Sequence, residues 1–539
     1  MSVSSTDKKD KVFIETGLLD LESINKDENI FQDPAVAEYY YNLYETTKYE
    51  CRSHFDPEFT WSKEEERKVT WKNDWHVTFW SFMMFTALNF DRSNLAQALS
   101  DNFLDDLNLT TNQMNIGKTI NLVCFLAAEL PSQLISKKIG ADVWIPTQMM
   151  LWSIVAMCQA AITGKHGFYA TRALIGLLEG GFICDTCLWI SYFFTSTEYT
   201  NRMSFFYASN QTTTIISSLL AFALLKIKTS TMSEGWRWLF LIEGAFTLLI
   251  GIASWFLMPA SPVQTKTWYR PKGWYTDREE KIVVNKVLRD DPTKGDMHNR
   301  QPVTLKELGR ALFDFDLFPI YLIRFLIEMS SGPVASYLQL SLRQLGFSTF
   351  KTNALTIPNS VLSLVTMFAF SYISDIIDSR SLLLAVNALW CISTLIPLRY
   401  WPGSGKPEHA WGSFALMTVL LGHPPLTALS TSWCSANSNS VKSRAVSAAV
   451  VNIFSQAGSI IASNIYREDD APLYHRGNTQ LIGIAFGGLG IAVLSRFYFQ
   501  YRNKQRDRKW KSLSELEKLD YTKNTTDQGN KRLDFRFIY

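Results

Sequence analysis

Seven cysteines in 539 residues are too few and too scattered for a disulfide framework. Six of them (Cys124, Cys158, Cys184, Cys187, Cys391 and Cys434) lie in or beside apolar stretches. Cys184 and Cys187 have the spacing of a metal or redox pair, but no second pair accompanies them. Packing is the better reading, and no metal site or cofactor is expected. No Ser-His-Asp set, metal-ligand cluster or phosphate loop is present, which argues against an enzyme. The net charge is only +3 and no basic stripe with interleaved aromatics occurs, so nucleic acid is not an expected partner. Met1 to Asp10 are polar and charged with no apolar core behind them, so no cleavable signal peptide is expected. The first apolar segment is then expected to act as its own insertion signal.

What is present is apolar length. The averages, 47% hydrophobic and 19% charged, look like those of a soluble chain. The charge, however, gathers in residues 1–75, in 259–316 and after 500, and the stretches between are rich in Phe, Trp, Leu and Ile. A hydrocarbon core about 30 Å thick needs roughly 20 apolar residues of helix to cross it. Such segments fall near 76–96, 116–136, 143–163, 168–194, 203–225, 238–258, 317–341, 352–373, 381–399, 411–433, 445–466 and 481–500. Backbone groups in lipid must be satisfied within the segment, so these runs are read as helices. His423-Pro424-Pro425 reads as a break within span ten rather than a ligand site.

The expected fold is therefore an all-α membrane protein of twelve transmembrane helices in two six-helix bundles, 76–258 and 317–500. The polar remainder is an N-terminal tail, 1–75, a central loop, 259–316, and a C-terminal tail, 501–539. Basic residues set the orientation. The short loops alone tilt slightly against cytoplasmic termini, but the flanks outweigh them: Lys63 to Lys72, the central loop and Arg502 to Lys511 are all rich in Lys and Arg. The loop 97–115 has no Lys or Arg and carries Asp101, Asp105 and Asp106. Both termini are expected in the cytoplasm, with Asn108-Leu109-Thr110 as a glycosylation sequon in an outer loop.

An ionisable residue inside a span costs about 2.5–3.5 kcal/mol on insertion scales, so each is a functional candidate. Asp91-Arg92 sits in span one, and Arg172, Gly176 and Glu179 share one stripe of span four. Arginine stays charged and its fork matches carboxylate or sulfonate. A carboxylate withdrawn from water can take up and release a proton near neutral pH. Together these residues can bind an anion and couple it to a proton; equally, Asp91–Arg92 and Arg172–Glu179 can be ion pairs that only brace the helices. Glu129 stands even between bracing and function, and Arg324 with Glu328 reads as a bracing i, i+4 pair. Glu243 reads as structural. Asn210, Gln211, Trp433, Asn452 and Gln456 either line a polar cavity or hydrogen-bond between helices.

With these residues in view, the chain resembles the major facilitator superfamily, and within it the fungal allantoate permease family of anion:cation symporters. The likeness runs from about Asp56 onward and rests on Asn89-Phe90-Asp91-Arg92-Ser93-Asn94, Glu129-Leu130-Pro131-Ser132 and Lys137-Lys138-Ile139-Gly140. It also rests on the Arg172, Gly176, Glu179 spacing, on the run from Trp236-Arg237-Trp238 to Glu243-Gly244, and on Ile465-Tyr466-Arg467 before Asp469-Asp470-Ala471-Pro472. The resemblance implies a proton-coupled symporter that imports a small organic anion by alternating access, working as a monomer in the plasma membrane. By position it implies Asp91 and Glu179 as the protonation pair, and Arg92 and Arg172 as the anion-binding pair. Two departures stand out: Lys137 where the superfamily has an acid, and Ile183-Cys184-Asp185 where this family has small and proline residues. Asp185 leaves the substrate open. The run Lys531 to Tyr539 and the loop Arg289 to Met297 look closest to members that handle sulfur-containing anions. The competing class is a non-transporting nutrient sensor of the same fold, which would be expected to carry a longer signalling tail.

The charge distribution predicts that Asn108 is reachable from outside intact cells while both tails are shielded from external protease. External labelling of the C-terminal tail would reverse this orientation.

Overall fold

The computed structural model describes residues 29–296 and 313–539, apart from positions 228, 230–231, 378, 439–440, 472, 515–516, 519–520 and 522–528. Among the described residues the chain is built from helices, with one isolated bridge, between Thr267 and Arg270, in place of any strand. Two helices precede the first span, α1 (Pro34–Thr46) and α2 (Lys63–Asn73). A wider turn at Asp74–Thr78 joins α2 to α3 (Phe79–Ala98). Then come α4 (Thr111–Ile139), α5 (Ala141–Cys158), α6 (Lys165–Glu179), α7 (Phe182–Ser191), α8 (Ser196–Leu224) and α9 (Gly235–Leu257). The central loop holds α10 (Asp277–Asp290). The second half contributes α11 (Phe318–Gln344), α12 (Ile357–Ile377), α13 (Arg380–Tyr400), α14 (Ala410–Leu421), α15 (Thr427–Ser438), α16 (Val441–Ala462) and α17 (His475–Ser512).

Among the described residues six helical stretches, Gly235–Leu257 and Arg380–Tyr400 included, are each long and apolar enough to cross a membrane. The other spans carry more polar residues and complete the twelve rods. Two spans, four and twelve, differ in form from their sequence outline, and span ten breaks where the sequence places its break. Span four is two helices, α6 and α7, because Gly181 takes a left-handed turn at φ 90° between them. Span ten breaks between α14 and α15 at His423-Pro424-Pro425, where proline supplies no N–H to continue the ladder. Span twelve runs on to Ser512, well past the expected 500.

Packing divides the rods into two bundles. In the first, α9 lies on α5 and α3, α4 on α6, and α8 on α3; in the second, α13 lies on α17, and α11 on α16 and α17. The apolar cores are arranged unequally. At the end holding the 97–115 loop, here the far side, one cluster runs through both bundles, from Leu95 and Phe103 to Tyr337, Leu395 and Tyr466. At the opposite end, the tail side, each bundle keeps its own: Met84, Trp152 and Trp189 in one, Tyr321, Trp433 and Phe499 in the other. The bundles are thus sewn together at the far side, with separate cores at the tail side.

Polar chain gathers on the tail side. Tyr40 and Tyr44 of α1 share a small apolar core with Val284 and Leu288 of α10, and the Tyr44 hydroxyl donates to Pro292 O at 2.9 Å. Lys72 pairs with Glu279 at 2.7 Å, Lys286 with Glu198 at 2.5 Å and Arg202 with Asp74 at 2.8 Å, tying this unit to the first bundle. Under the second bundle the segment 529–539 folds back. Asn503 and Arg506 of α17 donate to its carbonyls at Phe537 and Phe535, and Lys531 reaches Asp316 at 2.9 Å. Trp433 belongs here and not on a central cavity: its indole is fully buried and donates to Ile538 O at 2.8 Å. Of the two roles open to it, cavity lining or a hydrogen bond, it makes the bond, anchoring this segment.

Asp316 is the polar centre of that arrangement, accepting from Tyr498 at 2.7 Å and pairing with Arg502 at 3.2 Å as well as with Lys531. Burial pushes its carboxyl up, but Lys531, Tyr498 and Arg502 together hold it below the usual carboxylate range. A depressed folded-state pKa means the stabilisation is complete above the unfolded value, about pH 4, and is lost as pH falls below it. Asp316→Asn should remove charge-assisted bonds of about 1.5–3 kcal/mol each in context, lowering the melting temperature and opening 529–539 to protease at neutral pH. An unchanged cleavage pattern would show that Asp316 does not hold the segment.

Candidate functional site

The far-side bundles meet through polar side chains as well as apolar ones. Asn115 donates to Tyr466 O at 2.6 Å and also meets the Tyr337 hydroxyl. Thr119 lies 3.1 Å from Ser463, Asn464 donates to Thr119 at 2.8 Å, and Ser218 lies 2.7 Å from Thr356. Arg343 donates to Ser100 O at 2.5 Å. Deeper between the bundles, Asn452 of α16 donates to both carboxylate oxygens of Glu129 on α4, at 2.8 and 3.0 Å. Asn452 therefore joins the bundles through an acid rather than standing free on a surface. Gln456, one turn along α16, is half-buried.

Beneath this seam the first bundle concentrates its charge. Close approach of α4 and α6 makes the arrangement possible: a Cβ at Gly176 would fall inside the contact distance of Asn121 O, and one at Gly180 would meet Ala128 and Phe125 O. Gly181, in its left-handed conformation, likewise sits against Ser132. With the two helices this close, Phe125 of α4 lies under the guanidinium of Arg92 from α3, 5.0 Å from the ring centroid. The same guanidinium donates from Nε to Glu179 of α6 at 3.0 Å. Glu179 is buried, whereas the Arg92 side chain is 36% exposed, so the fork keeps open donors at the surface of its own bundle.

The other predicted residues distribute around that pair. Asp91, the preceding residue of α3, is buried and accepts from the Trp152 indole at 3.1 Å. Arg172 is 5% exposed, donates to Gln159 at 2.5 Å and lies over the Phe168 ring. Its electrostatic neighbours are Glu179 and Asp91, so the first bundle holds all four charged candidates in one network. Arg92 and Arg172 do not share a partner as a clamp: Arg92 is part-exposed on Glu179, and Arg172 is buried on Gln159, just past the end of α5. Asn210 is exposed and Gln211 half-buried on α8; neither is drawn to the Arg92–Glu179 pair by a hydrogen bond. Asn108 is exposed in a left-handed turn before α4, at φ 49°.

Several groups carry more than the sequence suggested. Glu243 of α9 is 1% exposed, interacts electrostatically with Asp91, and neither of its carboxylate oxygens has a hydrogen-bond partner. Glu179 Oε1, Arg172 Nε and both polar atoms of Asn94 are also buried without partners. Each unmade buried bond costs about 1–3 kcal/mol, so those around Asp91 and Glu179 make this a candidate functional region. Asp185 of α7 is buried near Glu129, and Cys184 donates its thiol to Glu129 at 3.2 Å. Lys118 of α4 was missed altogether. Its ammonium reaches across to the second bundle, 4.6 Å from the Tyr337 ring centroid. The available signal was simply a lysine inside an apolar span.

A helical membrane protein of two facing bundles, with buried charge within one of them, fits the architecture of a transporter. Residues 81–463 match the family described as Major Facilitator Superfamily, and the chain belongs to it. It is similar to an uncharacterized transporter of Saccharomyces cerevisiae, 42% identical over 96% of this chain and 95% of the other. A second relative, the MFS-type transporter efuF of Hormonema carpetanum, is 27% identical over 79% of this chain and 83% of its own length. Among solved structures, the fold matches a bacterial homolog of the human lysosomal transporter Spinster in an inward-facing, unoccupied conformation, with TM-score 0.58 and 14% identity over 81% of this chain and 97% of that one. It also matches the xylose transporter XylE from E. coli in a partially occluded inward-open conformation, with TM-score 0.56 and 13% identity over 76% and 96%. The chain is thus a multi-pass membrane transporter and not an enzyme.

Because Gly176 sets the α4–α6 distance, Gly176→Leu should force the helices apart and separate Arg92 from Glu179, with lost transport and reduced yield of folded protein. Gly346→Ala, in a left-handed turn with open space around it, should leave transport intact at a small cost in stability. Normal transport by Gly176→Leu would show that the close approach is not required.

Proposed function

We propose that the chain is a proton-coupled symporter that imports a small organic anion by alternating access. The cargo class is a carboxylate, ureido acid, vitamin-like acid or sulfonate. One observation carries the reading: the half-open guanidinium of Arg92 held at 3.0 Å by the buried carboxylate of Glu179. An ionised Glu179 competes with any incoming anion for that fork. A proton on Glu179 removes the competitor and frees donors whose geometry suits a carboxylate or sulfonate. Anion and proton then favour each other's binding through a single shared group, which is the linkage a symporter needs. Release runs in reverse: the anion leaves, the proton follows, and Glu179 closes again on Arg92.

The seam at the far side and the separate cores at the tail side support an account in which this conformation is closed outward, with the tails in the cytoplasm. In that orientation the re-formed Arg92–Glu179 pair fits the moment after release. Asp91, locked to Trp152 and next to Glu243, is assigned as the second proton-handling group, and Arg172 as the second anion-binding residue. Placement in the allantoate permease family draws on the motifs around Asp91, Glu129, Arg172 and Trp236. The plasma membrane, action as a monomer and glycosylation at Asn108 complete the proposal.

The test is uptake into cells lacking the protein and then supplied with it, using labelled allantoate, nicotinate, pantothenate, biotin and cysteate at two external pH values. Uptake should rise as external pH falls. Glu179→Gln should abolish accumulation against a gradient yet keep counterflow exchange. Arg92→Lys should fail nearly as badly as Arg92→Ala, since a point charge cannot make two parallel bonds; losing about 1.5–3 kcal/mol corresponds to roughly ten- to more than hundredfold in affinity. Concentrative uptake by Glu179→Gln would remove Glu179 as the coupling group. Binding without any uptake would move the chain to the sensor class.

A further inference from the structure

We propose that Lys118 and Arg172, together with Tyr337 of the second bundle, form a second site for the anionic head group, at the seam between the bundles. The inference rests on the reading of the cargo as an anion and adds to it a residue and a position. Lys118 and Arg172 are electrostatic neighbours of the same sign. Two cations brought together within the membrane repel, and burial strengthens the repulsion. Among the described residues Lys118 has no hydrogen bond or ion pair; its one favourable contact is the face of the Tyr337 ring at 4.6 Å. Arg172 spends one donor on Gln159, while its Nε, in a side chain 95% withdrawn from solvent, has no partner. The neighbouring acids are committed elsewhere: Glu179 to Arg92 and Asp91 to Trp152. Lys118, with no acid bonded to it, beside an Arg172 that keeps a free donor although Glu179 and Asp91 lie near, is a place for an oxyanion, carboxylate or sulfonate, brought by the transported molecule.

The position of this pair gives it a second property. Lys118 comes from α4 in the first bundle and Tyr337 from α11 in the second. Asn115, three residues before Lys118 on α4, meets the Tyr337 hydroxyl and donates to Tyr466 O. Cation, ring and seam are one assembly, so whatever draws Lys118 away from Tyr337 acts on the contacts that close the far side. In the outward-open state the bundles part here, the ring leaves the ammonium, and the cation is presented to an anion arriving from that side. Closure returns the ring and displaces the head group toward Arg92. Arg92 and Lys118 are linked along one stripe of α4, because Phe125, which carries Arg92, follows Lys118 by seven residues, or about 10 Å of helix rise. Binding energy is thereby tied to the motion itself, since the anion contacts Lys118 in one state and loses it in the other.

The experiment is initial-rate uptake of labelled allantoate, nicotinate, pantothenate, biotin and cysteate by the full chain, with folded yield recorded separately. For the anion carried, inhibition by the acid is compared with inhibition by its neutral amide. Lys118→Gln should raise the external KM about tenfold or more and cut the acid-over-amide preference by a similar factor, while Lys118→Arg should restore both to within about threefold of the original. A residue that merely braces the helices would change yield and maximal rate but not the acid-over-amide preference. An unchanged KM and preference in folded Lys118→Gln, with Arg92→Lys still impaired, overturns this site and leaves the proposed function standing. Failure of the original chain to take up any of the five anions overturns both.

Discussion

The Arg92–Glu179 ion pair is the interaction on which the account turns. Placing a full charge inside a membrane protein is costly unless a partner and hydrogen bonds compensate it. Here the compensation is partial, with one oxygen of Glu179 bonded to Arg92 and the other left without a partner. Arg92 in turn has its remaining donors at the surface of the bundle. A pair this incomplete is poorly suited to pure bracing, which favours the proposed exchange of the carboxylate for an anion once a proton has neutralised it. The surrounding architecture serves to hold this pair at bonding distance. Glycines 176 and 180 let α6 lie directly against α4, and Phe125 gives the guanidinium a platform.

The two bundles contribute differently. Asp91, Arg92, Arg172, Glu179 and Glu243 all lie in the first, where several of their polar atoms are buried without partners. The second supplies opposing surfaces: Tyr337 to Lys118 and Asn452 to Glu129. Contacts of that kind cross the plane between the bundles, so under the proposed alternating access they would differ between states rather than hold either half together. The tail side follows another rule. There the ion pairs, Lys72–Glu279, Lys286–Glu198 and Asp316–Lys531, bind peripheral segments to their own bundle. Each half is made rigid where it stands alone, and the joining contacts are kept at the other end.

Much of this was legible in the sequence because the membrane imposes strong patterns. A span of about 20 apolar residues and a clustered charge distribution are set by the solvent, so the twelve rods and the break at His423-Pro424-Pro425 could be read directly. The stripe of Arg172, Gly176 and Glu179 was likewise a matter of helical period. Partner choice was not legible. Glu179 pairs with Arg92 of another helix rather than with Arg172 of its own, because Arg172 finds Gln159 just past the end of α5. Trp433 looked like a lining residue and is held by Ile538, more than 100 positions away in the chain. Glu243 read as structural, yet its unpartnered carboxylate beside Asp91 emerges only when α3 and α9 are packed. Lys118 escaped because a lysine near the start of a span ordinarily snorkels to the interface, and only the position of Tyr337 shows that it points between the bundles.

The most direct measurement of the central claim is proton movement itself. Purified protein is placed in liposomes with a pH-sensitive dye inside, and allantoate, nicotinate, pantothenate, biotin and cysteate are added outside in turn. The account predicts that the anion which is carried acidifies the interior as it enters, and that Glu179→Gln transports it by exchange with no acidification. Entry of the anion with no change of internal pH in the original protein would contradict the coupling of proton to anion through Glu179 and Arg92.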